Sequence, residues 1–366
     1  MVQQGGLTTL HYENALNEPA ASALPLTCVI PISGRTPEAV QTLAESYERF
    51  LQQNPKTNIA DLAYTTAIGR KHFEHRAAVI AHDSASAIAG LKKIARGVRS
   101  TTDLTAFQGH HRRSPKIGWQ FTGQGSQLVG MGKSLYHCQP VFRQALDACD
   151  AQMMALRNES LLEVIFTEEQ KLNDTRWTQP AIFAIQMGLV RLLKSWGFKP
   201  DVVMGHSVGQ YAAACTAGIL SWEDGLKLIS HRGQLISDLP RAGAMLAVFA
   251  KPETVRDAVK DQPLSIAALN GTHVVISGEE NAIATAESEF EKHSVRTKRL
   301  TTSHAFHSAL MDSVLEPFAK IANTVSFQTP QLPLICNVSG KLMPADTQLT
   351  GQYWACLLYT SPSPRD

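Results

Sequence analysis

A chain of 366 residues with 44% hydrophobic content is long enough for two domains, or for one domain with an insertion, and it can bury cores of ordinary size. Its 34 Lys and Arg against 32 Asp and Glu leave a net charge of +2, and no basic run is interleaved with aromatics, which excludes an electrostatic nucleic-acid binder. The most apolar helix-like stretch, 180–196, is interrupted by Gln186, Arg191 and Lys194, and the first residues lack a basic-then-apolar signal, so neither a membrane span nor a secretory signal is expected. The six cysteines, Cys28, Cys138, Cys149, Cys215, Cys336 and Cys356, form no Cys-x-x-Cys pair, which predicts reduced thiols and a cytoplasmic setting.

Residues 1–23 have no sustained period and read as a flexible tail. From Leu24 the pattern gives a strand over 24–33, a helix opened by Thr36-Pro37-Glu38, a helix over 58–69, a strand over 76–81 and a helix capped at Asp83 or Ser84. Together they predict a small α/β unit. Segment 98–116 is basic and broken by Gly109 and Pro115; its cluster His110, His111, Arg112 and Arg113 reads as a solvated linker rather than a phosphate site.

A second unit opens with a strand over 117–121 that runs into the glycines of Thr122-Gly-Gln-Gly-Ser-Gln127, where backbone N–H groups can face a ligand. Helices over 142–157 and 180–196 lead to a strand at 201–205 and a further helix over 223–237. Such alternation predicts a mainly parallel sheet covered on both faces. Between 243 and 300 the order changes to β-α-β-β-α-β, a ferredoxin-like arrangement with Asn270-Gly271 as its middle turn, which predicts a small domain inserted into the larger one. Tyr353-Trp354 open a helix, but 356–366 has neither helix nor strand period and ends in two Ser-Pro steps. Residues 355–366 are therefore expected to be a non-native tail, read through from an adapter onto a truncated gene.

The chemistry centres on 201–211, an apolar run that stops on Gly-His-Ser-Val-Gly and passes into a helix. This strand, sharp turn and helix exposes Ser207 at a helix N-terminus, as a nucleophile requires. A serine hydroxyl needs a base, and His304 and His307, on one face of the turn where the inserted domain rejoins the large one, are the candidates. The Val208 N–H is a natural oxyanion donor, with a loop N–H from Gln124 as the second. His206 is expected to point away from the nucleophile and to be structural or pocket-lining. Arg232 falls mid-helix, as surface arginines do; facing the cleft instead, its fork would hold a substrate carboxylate. No metal site is expected, since the histidines lack a nearby carboxylate ligand and no His-Glu-x-x-His occurs.

The ordered motifs Gly123-Gln-Gly-Ser-Gln127, Thr178-Gln-Pro180, Gly205-His-Ser-Val-Gly209, His231-Arg-Gly233, Gly243-Ala-Met245 and His304-Ala-Phe-His-Ser308 resemble the acyltransferase domain of polyketide synthases. That domain is similar in turn to malonyl-CoA:acyl carrier protein transacylases. Upstream, 31–37, 61–64 and 73–76 resemble the linker domain that joins a ketosynthase to the acyltransferase. The resemblance implies an α/β-hydrolase-like large domain over 116–354 with the ferredoxin-like insert at 243–300, preceded by an α/β linker domain and connector over 24–115.

By the same resemblance Ser207 is the acylated nucleophile and His307 its base, with the N–H groups of Gln124 and Val208 as the oxyanion hole. Arg232 binds the free carboxylate of the extender unit, Gln179 lines the pocket, and His304 and His206 complete the substrate site. Phe306, in His-Ala-Phe-His, marks malonyl rather than methylmalonyl selectivity. The partners implied are malonyl-CoA, an acyl carrier protein and an adjacent ketosynthase. No bound cofactor is implied, because the coenzyme A thioester and the carrier's phosphopantetheine thiol are substrates. In the family a main-chain carbonyl orients the histidine, which accounts for the missing acid, but that carbonyl falls in the segment after Tyr353-Trp354 that the anomalous tail replaces. Gln210 stands where the family usually has glutamate. A serine esterase and an inactive fragment of a multienzyme are the competing readings.

Overall fold

A computed structural model describes residues 27–97, 105–110, 115–300, 302 and 304–359, and the chain divides into two compact units, Met1–Pro115 and Lys116–Asp366. The first comprises β1 (Cys28–Gly34), α1 (Pro37–Gln53), α2 (Ile59–Ile68), β2 (His75–Ala81), α3 (Ser84–Ala95) and β3 (Ala106–His110). Alternation along β1 and β2 buries Ile30, Ile32 and Val79 against Val40 and Leu51 of α1 and Leu91 and Ile94 of α3. Helix α1 starts at Pro37 because the Thr36 hydroxyl accepts the Ala39 N–H at 3.2 Å, and Asp83 and Ser86 cap α3 reciprocally.

One expectation is corrected here. Within the segment read as a solvated linker, residues 106–110 pair antiparallel with β2 as the third strand of the sheet. Only Ala106 of this strand is buried and Phe107 faces outward, so backbone pairing rather than an apolar stripe makes it a strand, and periodicity missed it. His110 stacks on His75 at 4.3 Å and pairs with Glu74. The predicted tail at 1–23 and the residues His111, Arg112 and Arg113 lie outside the described residues.

The second unit runs β4 (Gly118–Phe121), α4 (Lys133–Cys138), α5 (Pro140–Arg157), α6 (Leu161–Thr167), α7 (Glu169–Leu172), α8 (Thr175–Ser195), β5 (Val202–Gly205), α9 (Gly209–Thr216) and α10 (Trp222–Ser237). The inserted part follows as β6 (Gly243–Val248), α11 (Pro252–Val259), β7 (Leu264–Leu269), β8 (Val274–Glu279), α12 (Glu280–Lys292) and β9 (Thr297–Arg299). A 3-10 turn (Ala309–Met311), α13 (Asp312–Ala322), β10 (Leu334–Ile335) and α14 (Gly351–Tyr359) complete it. The large sheet has the order β10-β5-β4, parallel throughout. The insert has the order β7-β8-β6-β9 with antiparallel neighbours, the split β-α-β pairing of a ferredoxin-like sheet. Both expected architectures are therefore present.

Helix α8 begins at Thr175, five residues before the start expected from Pro180. Proline inside a helix leaves the carbonyl four residues earlier without its N–H. Here that carbonyl, of Arg176, accepts Arg157 Nη1 at 2.8 Å, so the helix continues through the proline. Where the sequence shows neither helix nor strand period after Trp354, α14 continues through Cys356 to Tyr359 and buries Leu357 and Leu358 in the main core. Residues 360–366 lie outside the described residues. Among the described residues, no helix is long and apolar enough to cross a membrane.

Candidate active site

The loop between β5 and α9 carries Ser207 with φ of 50°, a left-handed conformation that costs a non-glycine residue energy and throws its side chain outward. Glycine is required on both sides, because a Cβ on Gly205 would strike the backbone of Gly209, and one on Gly209 the carbonyl of Phe121 at the end of β4. The strain is held from outside the loop, where the Ser207 N–H donates to Asn337 Oδ1 at 2.9 Å.

His307 also has positive φ, 58°, and its Nε2 lies 3.2 Å from Ser207 Oγ. Arg232 Nη2 lies 3.5 Å from the same oxygen. A guanidinium only donates, so Ser207 accepts from Arg232 and turns its proton to His307 Nε2, which leaves the histidine N–H on Nδ1. Burial pushes the His307 pKa down to about 3, helped by the nearby Arg232 and His206. The Leu358 carbonyl of α14 opposes that shift as a hydrogen-bond acceptor, although Nδ1 completes no bond of normal geometry. His307 is thus neutral at pH 7 and able to take a proton.

Arg232 is 2% exposed, and burial lowers its pKa. Its Nη1 donates to Gln179 Oε1 at 2.7 Å, its Nε has no partner, and among the described residues no carboxylate pairs with it. The close approach of α10 to α8 sets its position. A Cβ on Gly233 would lie 2.7 Å from the Thr175 carbonyl, so only glycine lets the two helices meet there.

These groups open into a cavity of about 740 Å³ between the large domain and the insert, within the size range of ligand pockets. Gln124 and Val208 stand in its wall beside Ser207, and Val208 is the N-cap of α9, where helical N–H groups have no intrahelical partner. The insert supplies an apolar wall from Met245, Ala267, Ala268 and Val275. A bulge in β7 places Ala267 and Ala268 together on that wall, where a regular strand would send them to opposite faces. Gln127, Asn173, Asn270 and His273 make its rim polar.

Of the residues singled out in sequence, Ser207, His307, Arg232, Gln124, Val208, Phe306 and His206 all line the cavity. Two do not. Gln179 is fully buried beneath Arg232 and holds it, instead of facing the pocket as expected. His304 is turned to the Leu239 carbonyl at 3.2 Å and sets its ring edge-to-face with Phe306 at 6.2 Å, so the two histidines diverge. Among the described residues no group of His, Cys, Asp and Glu could hold a metal ion.

Sequence reasoning missed Asn337 and Thr175, and it placed the carbonyl that orients the histidine in the segment after Trp354 but expected it to be lost there, where the Leu358 carbonyl faces His307. Thr175 lies one helical turn before Gln179, and this was hidden by taking Pro180 as the helix start. Asn337 follows β10, a two-residue strand too short for any periodicity to mark. Gln210 Nε2 donates to Tyr353 Oη at 2.9 Å and to the Ile335 carbonyl at 3.3 Å, which ties the elbow helix to α14 and β10.

Residues 118–363 match the family model for the acyl transferase domain, and residues 28–91 match the model described as CurL-like, PKS C-terminal. The polyketide synthase GfsA of Streptomyces halstedii is 37% identical over 348 residues, covering 92% of this chain and 5% of that protein. The phenolphthiocerol synthesis polyketide synthase type I Pks15/1 of Mycobacterium marinum is 38% identical over 345 residues, covering 93% and 16%. The chain thus spans a small part of the length of these relatives. Among solved structures, the acyl transferase domain of ZmaA superposes with a TM-score of 0.83 at 31% identity, covering 94% of this chain and 79% of that one. The malonyl CoA-acyl carrier protein transacylase from Clostridium perfringens gives 0.63 at 27% identity, covering 68% and 80%.

Proposed function

Because the chain belongs to the acyl transferase domain family, in the form carried by polyketide synthases, we propose that it moves a malonyl unit from coenzyme A to the phosphopantetheine thiol of an acyl carrier protein. Ser207 Oγ attacks the thioester carbonyl while His307 Nε2 takes its proton. The N–H groups of Gln124 and Val208 stabilise the oxyanion. Collapse expels the coenzyme A thiolate, to which His307 returns the proton. The carrier's thiol then gives its proton to His307 and attacks the seryl ester; Ser207 leaves as the hydroxyl, reprotonated by His307. No resident cofactor takes part in this sequence.

The observation that carries this reading is Arg232, a buried cation in the cavity wall, 3.5 Å from Ser207 Oγ and, among the described residues, without a carboxylate partner. Burying an unpaired charge costs several kcal/mol, and a substrate carboxylate offsets it. A serine esterase for neutral esters has no use for such a group. Phe306, which lines the cavity next to His307, supports malonyl over its 2-methyl derivative. The linker match at 28–91 and the greater length of the relatives support a place beside a ketosynthase in a multienzyme. The scattered cysteines, with no Cys-x-x-Cys pair in the sequence, support a reducing, cytoplasmic setting.

Intact-mass measurement after mixing with malonyl-CoA tests the reading. One malonyl group is expected on the wild type and none on Ser207→Ala, and Arg232→Ala should shift the preference from malonyl toward acetyl transfer. A wild-type chain that gains no mass overturns the reading, and an unchanged malonyl-to-acetyl ratio in Arg232→Ala overturns the carboxylate role.

A further inference from the structure

A directed line of hydrogen bonds runs under the cavity floor. Arg232 Nη1 donates to Gln179 Oε1 at 2.7 Å, Gln179 Nε2 donates to Thr175 Oγ1 at 2.8 Å, and Thr175 Oγ1 donates to Gln124 Oε1 at 3.0 Å. The direction is forced from one end. A guanidinium has no acceptor, so Gln179 must present its oxygen to Arg232 and its amide N–H to Thr175, whose hydroxyl proton is then free only for Gln124. Donors aligned this way polarise one another, and the buried charge of Arg232 strengthens each link.

Thr175 joins the two glutamines of that line. It is fully buried at the first position of α8, and both glutamine side chains turn to it. The loop carrying Gln124 is tied on either side of that residue: the Thr122 carbonyl accepts Gln186 Nε2 at 2.8 Å, Ser126 Oγ donates to the Gly123 carbonyl at 3.1 Å, the Gly125 N–H donates to Gln127 Oε1 at 2.8 Å and Gln127 Nε2 donates to Asn173 Oδ1 at 3.2 Å. Gly125 itself sits at φ 109° with nothing near its Cβ direction, and the Gln124 side chain is tied through the bond it accepts from Thr175. Among the described residues, Arg232 donates hydrogen bonds to Gln179 and, at longer range, to Ser207.

We infer that Thr175 is a positioning residue that locks the carboxylate clamp at Arg232 to the oxyanion loop at Gln124, so that a carboxylate seated on Arg232 and a carbonyl oxygen facing the Gln124 N–H are held in one register. The inference rests on the roles proposed above for those two residues. Thr175 itself touches no reacting atom. Its hydroxyl is the part that matters, because its loss leaves one amide N–H and one amide oxygen unpaired at the same point.

The test compares Thr175→Val, which keeps the shape, with Thr175→Ser, which keeps the hydroxyl, using malonyl-CoA and acetyl-CoA in single-turnover acylation. Misplacing groups by about 1 Å costs on the order of 100-fold, so Thr175→Val should slow malonyl acylation by about 10- to 100-fold and narrow the malonyl-to-acetyl ratio, with Thr175→Ser within about threefold of wild type. In an Arg232→Ala background the Thr175→Val effect on malonyl should shrink, since contacting residues in one network are not additive. A Thr175→Val protein that melts earlier yet keeps wild-type rate and ratio overturns the inference. Should Thr175→Val not fold, Gln124→Leu keeps the backbone N–H and cuts the line at its far end. Slower acylation of both substrates supports the inference, and an unchanged rate overturns it. A wild type that never forms the acyl-enzyme overturns the transferase reading itself, whereas a wild type that acylates normally beside an unaffected Thr175→Val overturns this inference alone.

Discussion

Asn337 Oδ1 accepts the backbone N–H of Ser207 at 2.9 Å, a contact made across 130 residues of sequence. Ser207 stands at φ 50°, and such conformations persist only where the surroundings over-determine them. Asn337 is 1% exposed, so Asn337→Leu would leave a buried N–H without a partner. The expected loss is about 1–3 kcal/mol of stability, with slower acylation as the elbow relaxes. Urea denaturation and single-turnover acylation measure the two effects, and an unchanged acylation rate would refute the role of Asn337 in holding the nucleophile.

His307 fixes the response to acid. Its pKa is lowered from 6.5 to about 3 by burial first, then by Arg232 and His206. Between those values the unfolded chain binds a proton that the folded chain does not. Stability therefore rises with pH across this window; the contribution is complete above about 6.5 and is lost as pH falls toward about 3, at up to about 1.4 kcal/mol per pH unit. His307→Gln should show a shallower acid slope in chemical denaturation. Acylation by the wild type should keep its base down to about pH 4, because His307 stays neutral there. An acid limb centred near the ordinary histidine value would refute the assignment.

What could be read from the sequence follows from what leaves a local trace. The Gly-His-Ser-Val-Gly turn, the β-α-β-β-α-β order and the Asn270-Gly271 turn each set a short-range conformation, and the structure shows the elbow and both sheets accordingly. Strand β3 and strand β10 left no such trace, being short and defined by pairing to distant backbone. The supports of the site leave no local trace either: Asn337 and Leu358 reach Ser207 and His307 only through tertiary packing. Gln179 was correctly linked with the site but given the wrong orientation, since a sequence does not show which face of a buried helix meets Arg232.

Helix α14 is expected to be an integral part of the core. Trp354 is fully buried, with its ring 4.4 Å from that of Tyr211 on the elbow helix, and Leu357 is fully buried beyond it. Leu357→Ala should destabilise the unit by about 2–5 kcal/mol, as buried leucine truncations do. Thermal melting would show this, and a change within about 0.5 kcal/mol, typical of surface positions, would mean that 356–359 does not pack as described.

The proposed choice of substrate rests on Phe306. It is 9% exposed, lines the cavity beside His307 and is braced by the edge of His304, so it has little freedom to withdraw from a bulkier acyl group. Forcing an extra methyl into a tight site costs about 1–3 kcal/mol, and one methyl group supports discrimination of roughly 10- to 200-fold. The wild type should therefore favour malonyl-CoA over methylmalonyl-CoA by a factor in that range, and Phe306→Ser should narrow it by making room. The apolar wall of Met245, Ala267, Ala268 and Val275 is unaltered by that substitution, so any change in ratio reports on the ring itself. Competition between the two thioesters, read as the ratio of kcat/KM, settles the matter. A wild-type preference for the branched substrate would sink the malonyl assignment, and an unchanged ratio in Phe306→Ser would sink the steric mechanism.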